Sequence, residues 1–209
     1  FPNYLKKIDL KNNKNLEFLS VIGKWSKSRK FLEFTNEDIA QIVKSDFDCL
    51  IRFGSGILRG EILNSSKLGV ISFHHGDNRV NRGGPCGFWE VLNEEPSSGF
   101  VIQKLNNELD GGEVFVRGNM MTLGMWHTNK AQLIEKSKFF LIQFLKKISE
   151  EKKLPKSENV RLHGNKLYKI ESSKIMLKYV FKNYLPKFIN KLFVLVLPPK
   201  ITRWSVAYA

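Results

Sequence analysis

Two periods alternate along this chain. Short apolar runs bounded by Gly, Pro, Asn and Ser read as strands over residues 16–23, 49–53, 69–73, 99–105 and 113–117. Elsewhere apolar residues return every three or four positions. Thr35 and Asp38 form a capping box, with Asp in place of the usual Glu, and open a helix carrying Ile39, Ile42 and Val43 on one face. A short helix follows over 61–65, and helical spacing resumes at 88–92. A long helix runs from Thr128 to about Lys152 and presents Leu133, Phe140, Ile142, Phe144, Leu145 and Ile148. Residues 174–197 are helical on both sides of Pro186, which kinks or breaks the run. Strands interleaved with helices predict an α/β fold around a mostly parallel sheet, with a helical C-terminal extension. The expected division is an α/β domain over 1–150 and a basic helical extension over 151–209 that links to a further domain in the same chain.

Composition agrees with one sizeable core: 209 residues, 42% hydrophobic, 16 of them Phe. The chain begins at Phe1 without Met, shows no secretory leader pattern and has no uncharged apolar run near 18 residues. A soluble, cytoplasmic piece of a longer protein is expected. Cys49 and Cys86 read as buried free thiols in a reducing compartment, rather than as a nucleophile or a disulfide.

The net charge of +14 is unevenly placed, since residues 121–209 hold 18 Lys and Arg against 5 Asp and Glu. A solvated lysine-rich surface accounts for this, because the lysines are spread rather than clustered; nucleic acid and an anionic membrane surface are the less favoured partners. The stretch 174–197 alternates lysines with Met176, Tyr179, Val180 and Phe181, so it either docks on a domain or lies on a membrane surface.

Chemistry concentrates in residues 69–89, GVISFHHGDNRVNRGGPCGFW. A β-branched strand runs straight into His74, His75, Gly76 and Asp77, which places polar side chains at its carboxyl end, the edge where open α/β sheets bind ligands. The strands over 99–105 and 113–117 flank a polar turn at residues 106–112, and a hairpin there places Asp110 at its tip, able to fold back toward His74. Gly54-Ser55-Gly56 is either a turn that lets backbone approach a ligand or a tight strand-to-helix turn. Arg52 lies inside an apolar strand, where an unpaired charge is costly; it is expected to pair with an acid such as Asp77, with a water-facing edge as the alternative. A metal site at His74, His75 and Asp77 is disfavoured, because adjacent residues on an extended chain point to opposite sides.

These residues carry a resemblance. Ser72-Phe73-His74, the loop ending Arg82-Gly83, Trp89, the Gly-led strand over 99–105 and Leu109-Asp110-Gly111-Gly112 follow, in order and spacing, the pattern Asn-x-His, Arg-Gly, Trp, strand, Leu-Asp-x-Gly. That pattern resembles the catalytic half of the 10-formyltetrahydrofolate-dependent formyltransferases, over roughly residues 46–118. There are two departures: Ser72, where most relatives have the catalytic Asn, bears on activity, and His75-Gly76-Asp77 in place of Pro-Ser-Leu marks a distinct subgroup. The ending Trp204 to Tyr208 is similar to the join with a β-propeller-like domain in some members.

The resemblance implies a Rossmann-like sheet of the formyltransferase type, here without its first βα unit. It implies 10-formyltetrahydrofolate as co-substrate and a small amine as acceptor, such as an amino sugar in polysaccharide biosynthesis; a hydrolase, a tRNA formyltransferase and a non-catalytic domain are the alternatives. His74, Asp110 and Ser72 are then the catalytic positions, and Gly54, Gly56, Ile57, Leu58 and Asp110 the cofactor-binding ones. His75, Asp77, Arg79 and Arg82 serve the substrate or brace the loop. Formyl transfer needs proton movement and an oxyanion donor. One His and one Asp cover the protons. With Asn absent at position 72, His75 and Arg79 are the expected compensating donors.

Overall fold

The computed structural model describes residues 14–54, 56–158, 164, 167–169, 172–186 and 188–189. Ser55, the Trp204 to Tyr208 ending and the last turns expected up to residue 197 lie outside these, as does nearly all of the polar N-terminal segment.

The chain starts with a small hairpin, β1 (Lys24–Trp25) and β2 (Phe31–Glu33), which leads into α1 (Asn36–Lys44). The capping box expected at α1 is present in full: Asp38 N–H donates to Thr35 Oγ1 at 3.2 Å and Thr35 N–H donates to Asp38 Oδ2 at 3.2 Å. Ile42 of α1 is buried and Ile39 packs beside it, whereas Val43 points out and is 54% exposed. Then come β3 (Leu50–Arg52), β4 (Ile57–Leu58), a 3-10 turn at Gly60–Asn64 in place of the short α-helix, and β5 (Val70–His74). After β5 follow β6 (Arg82–Gly83), α2 (Phe88–Asn93), β7 (Ser97–Lys104), β8 (Glu113–Met121), α3 (Trp126–Glu151), β9 (Leu167–Tyr168) and α4 (Ser173–Asn183).

The central sheet has the order β3-β5-β7-β8, and each face buries a different cluster. Ile71 and Ile102 meet Leu141, Phe144 and Ile148 of α3 on one side, and Val70 meets Ile42, Ile62 and Leu63 on the other. Covering on both faces is the α/β arrangement expected. The strand directions are more mixed than expected. β3 and β5 run parallel, but β5·β7 and β7·β8 are antiparallel. The β7·β8 pair is the hairpin expected around the 106–112 turn, since an eight-residue loop cannot hold a crossover helix; the departure is the antiparallel β5·β7 pair.

Two further expectations shift. No strand forms over residues 16–23: the segment has no ladder partner among the described residues, Phe18 and Ile22 are 70% and 74% exposed, and only Val21 packs on the core. In α3 the buried stripe is Leu133, Ser137, Leu141, Phe144 and Ile148, so Phe140 and Ile142 turn outward. α4 docks on the domain through Tyr179, Ile175 and Met176, which pack with Phe88, Val91, Leu92 and Trp126. The Tyr179 hydroxyl accepts from Trp126 N–H at 2.9 Å, and Lys182 Nζ donates to Leu92 carbonyl oxygen at 2.9 Å, near the end of α2. Among the described residues no helix is long and apolar enough to cross a membrane.

Candidate active site

β5 delivers Ser72 and His74 to one face of the sheet, because alternate residues of a strand share a side. His74, the last residue of β5, is buried, and its ring is held at both nitrogens. Nδ1 lies 3.3 Å from Asp110 Oδ1 and Nε2 lies 3.0 Å from the Asn81 carbonyl oxygen. A carbonyl oxygen only accepts, so Nε2 donates to it, and Nδ1 faces the Asp110 carboxylate. Gly76 lets the loop close over this ring, since a Cβ there would sit 2.7 Å from Nε2.

Asp110 is held by its surroundings rather than by its own loop. It adopts a left-handed backbone, φ +50°, and its Oδ2 accepts from Gly83 N–H at 2.8 Å. Its carbonyl oxygen accepts from Nδ2 of the fully buried Asn78 at 3.2 Å. Arg82 fixes the preceding residue: Nε and Nη2 donate to the Leu109 carbonyl, Nη1 reaches the Gly164 carbonyl at 3.2 Å, and Nη2 pairs with Glu108 at 2.9 Å. The 82–83 segment and the 106–112 loop are thus clamped together.

A cavity of about 480 Å³ opens beside the pair. Its walls include His74, Asp110, Ser72 and His75, the Gly56, Ile57 and Leu58 edge, and Trp25, Leu105 and Gln103. Of the residues expected to bind a co-substrate, Gly54 alone is elsewhere: it borders a second cavity of about 320 Å³, next to Phe53, Ile134 and Lys138. Gly56 is required where it stands, since at φ +89° a Cβ would press within 2.9 Å of the Trp25 ring.

Asp77, Arg79 and Arg82 do not line the cavity. Asp77 pairs with Arg79 at 2.6 Å and with Arg117 at 2.5 Å, and Arg117 continues to Glu158 at 2.7 Å. Burial works against the Asp77 carboxylate, but the Arg79 hydrogen bonds and the Arg117 charge outweigh it, so its pKa falls below the ordinary value. Arg52 therefore does not pair with Asp77, whose oxygens are already taken. Instead its Nη2 donates to the Gly56 carbonyl, holding the β3–β4 turn, and the Asp110 charge partly offsets its burial.

His75 stacks on Phe73, with centroids 5.0 Å apart, and Nε2 meets Ser137 Oγ at 3.1 Å. Burial, helped by the His74 and Lys130 charges, lowers its pKa to about 4, so it is neutral near pH 7. Cys86 borders the cavity as an inert thiol, pushed up to about 12 by burial and by Glu90. Among the described residues no group of three or more His, Cys, Asp or Glu is placed to hold a metal ion.

Trp25, Asn78 and Gln103 are among the members of the site that sequence reasoning missed. Trp25 sits on a hairpin no apolar period announces, and Asn78 is one polar residue among many in its loop. Gln103 had a signal: it interrupts the apolar run Phe100 to Ile102, as Arg52 interrupts its own strand.

No protein-family model matches the sequence, and no curated protein does. Solved structures match by shape. A Mycobacterium tuberculosis protein described as a candidate sugar N-formyltransferase superposes with a TM-score of 0.53 at 16% identity, over 71% of this chain and 69% of that one. The formyltransferase PseJ from Anoxybacillus kamchatkensis, in complex with UDP-4,6-dideoxy-4-formamido-L-AltNAc and tetrahydrofolate, gives 0.50 at 19% identity over 63% and 68%. HypX from Aquifex aeolicus is matched over 69% of this chain at 16% identity with a TM-score of 0.49, but the chain spans only 27% of its length. At such identities a likeness speaks of architecture, and the architecture it shows is that of the formyltransferases: this chain has their Rossmann-like α/β fold.

Proposed function

We propose that the protein transfers the formyl group of 10-formyltetrahydrofolate to the amine of a small molecule, an amino sugar being the acceptor class. The observation that carries this reading is the His74–Asp110 pair, with His74 buried and Asp110 clamped by its neighbours, at the carboxyl end of a strand and open to a cavity.

The cavity residues fit the donor. The flat Trp25 ring and the apolar Ile57, Leu58 and Leu105 side chains offer surface to a bicyclic ring. The donor supplies an activated formyl carbon. The amine nitrogen attacks that carbon, a C–N bond forms, and the carbonyl oxygen becomes an oxyanion. Collapse breaks the bond to the folate nitrogen. The proton lost by the amine is taken up at the His74–Asp110 pair, and a proton returns from it to the leaving nitrogen, so the pair ends as it began.

The amino-sugar choice is supported by the two structures with the larger TM-scores, one described as a candidate sugar N-formyltransferase and one holding a formamido sugar. Such acceptors belong to polysaccharide assembly, and the two free thiols suit a reducing cytoplasm. The test incubates the intact protein with 10-formyltetrahydrofolate and a panel of nucleotide-linked amino sugars, reading formyl addition by mass spectrometry. Formylated sugar is expected. Formate released without any formylated acceptor would make the protein a hydrolase, and no donor binding would remove the enzymatic reading altogether.

A further inference from the structure

The three donors the sequence offered for an oxyanion are all spent. Ser72 Oγ donates its one hydrogen to the Phe73 carbonyl oxygen at 3.1 Å. His75 is tied to Ser137, and the Arg79 guanidinium is closed on Asp77 outside the cavity. Yet the strand next to Ser72 carries an amide with no partner. Gln103 is Ser72's register partner across the antiparallel β5·β7 pair, so the two side chains stand side by side on one face of the sheet. Its side chain is 1% exposed and borders the cavity. Its Oε1 is buried without a hydrogen bond, and no described group engages its Nε2.

An amide with neither end committed costs on the order of 1–3 kcal/mol; its N–H can serve an acceptor that a ligand brings, whereas its Oε1 would need a donor. Two features mark its surroundings. β7 slips register against β8 at this residue, from Ile102↔Val116 to Gln103↔Val114, with the extra residue Phe115 on β8. The amide also lies against Gly112, where a Cβ would come 3.3 Å from Oε1, which sets it two residues from Asp110. Arg52, beyond Ser72 in the same row, has committed Nη2 to the Gly56 carbonyl.

We propose that Gln103 is the oxyanion donor of this site: its side-chain amide, reaching in from the neighbouring strand, supplies the N–H that position 72 lacks and holds the formyl oxygen as it becomes negative. This rests on the formyl-transfer reading. The covalent step is the one given above, and Gln103 gains and loses no proton in it; its N–H strengthens a hydrogen bond as charge develops and relaxes on collapse.

The experiment compares the intact parent with Gln103→Met, which keeps volume and removes the amide, and with Gln103→Glu, which keeps shape and replaces the donor by an acceptor. Each is also made with Ser72→Asn. Tetrahydrofolate release from 10-formyltetrahydrofolate is followed with the amine on which the parent is most active, and melting temperature is recorded. A kcat roughly 10²- to 10³-fold lower, with donor KM moved less than about threefold, is expected for Gln103→Met. Ser72→Asn in that background should recover about tenfold or more, a rescue that a purely structural role for Gln103 would not give. If Gln103→Met does not fold, Gln103→Glu decides by the same criterion. An unchanged kcat in a folded variant, or a loss confined to KM, overturns the proposal while formyl transfer stands. A parent that neither binds nor turns over the donor overturns both.

Discussion

His74 Nδ1 and Asp110 Oδ1 are 3.3 Å apart although they stand 36 positions apart in the chain, with β6, α2 and β7 between them. Neither loop holds that contact alone. Gly83 N–H fixes the far oxygen of Asp110, Asn78 fixes its carbonyl, and the Asn81 carbonyl fixes the far nitrogen of His74. Removing charge without removing shape isolates what the pair does. Asp110→Asn keeps an oxygen for Gly83 but cannot take up a proton. It should lower kcat by about 10²- to 10⁴-fold while the melting temperature moves by no more than a few degrees, read by steady-state formyl transfer and thermal unfolding. A variant as active as the parent would remove Asp110 from the chemistry.

Arg82 tests the clamp rather than the reaction. Its guanidinium serves the Leu109 and Gly164 carbonyls and Glu108 from a nearly buried position. Arg82→Met leaves the half-buried Leu109 and Gly164 carbonyls without their donor, a loss of about 1–3 kcal/mol in stability by denaturant unfolding. Activity should fall with it, because the Leu109 carbonyl immediately precedes Asp110. Arg82→Lys, with one point donor instead of a fork, should recover part of the stability and little of the rate.

How much of this was legible in the sequence follows from what each feature depends on. β5 and the capping box of α1 rest on local pattern, and both appear where the pattern puts them. The approach of the 106–112 turn to His74 was legible because a short polar loop between two strands has few places to go. The direction of β7 against β5 was not, since the 22 residues between them fit either direction and no local pattern decides it. Residues 16–23 have strand-like composition but no partner among the described residues, and an apolar run without a ladder stays coil. The pairing expected for Arg52 failed because charge rules say that a buried cation needs a partner without saying which. Here a backbone carbonyl serves, and Arg117, from β8, takes Asp77 instead.

His75 makes a pH signature. Its folded pKa, about 4, lies below the ordinary value of 6.5, so the unfolded chain binds more protons between those two points. Stability therefore rises with pH across that window and is lost as pH falls from about 6.5 toward 4, by at most about 1.4 kcal/mol per pH unit. His75→Phe removes the titrating group and should flatten this acid limb of unfolding free energy, measured by denaturant titration at several pH values. An acid limb of unchanged slope would mean that the ring is solvated enough to titrate normally.

Gly83 carries two demands at once. Its backbone sits at φ +91°, where an L side chain is strained, and a Cβ built on it would come within 2.5 Å of the Tyr168 carbonyl oxygen across the β6·β9 pair. The same residue's N–H holds Asp110 Oδ2 at 2.8 Å. Gly83→Ala cannot satisfy both the backbone angle and the neighbour, so the segment must move and the hydrogen bond to Asp110 moves with it. The expected cost is about 1–3 kcal/mol in unfolding free energy, together with a kcat loss of at least tenfold that 10-formyltetrahydrofolate saturation does not restore. Gly124→Ala is the control, since a Cβ there meets nothing within 4 Å and the residue has no positive φ; it should leave rate and stability near the parent. A destabilised but fully active Gly83→Ala would show that Asp110 keeps its place without this N–H, and that Arg82 and Asn78 suffice to hold it.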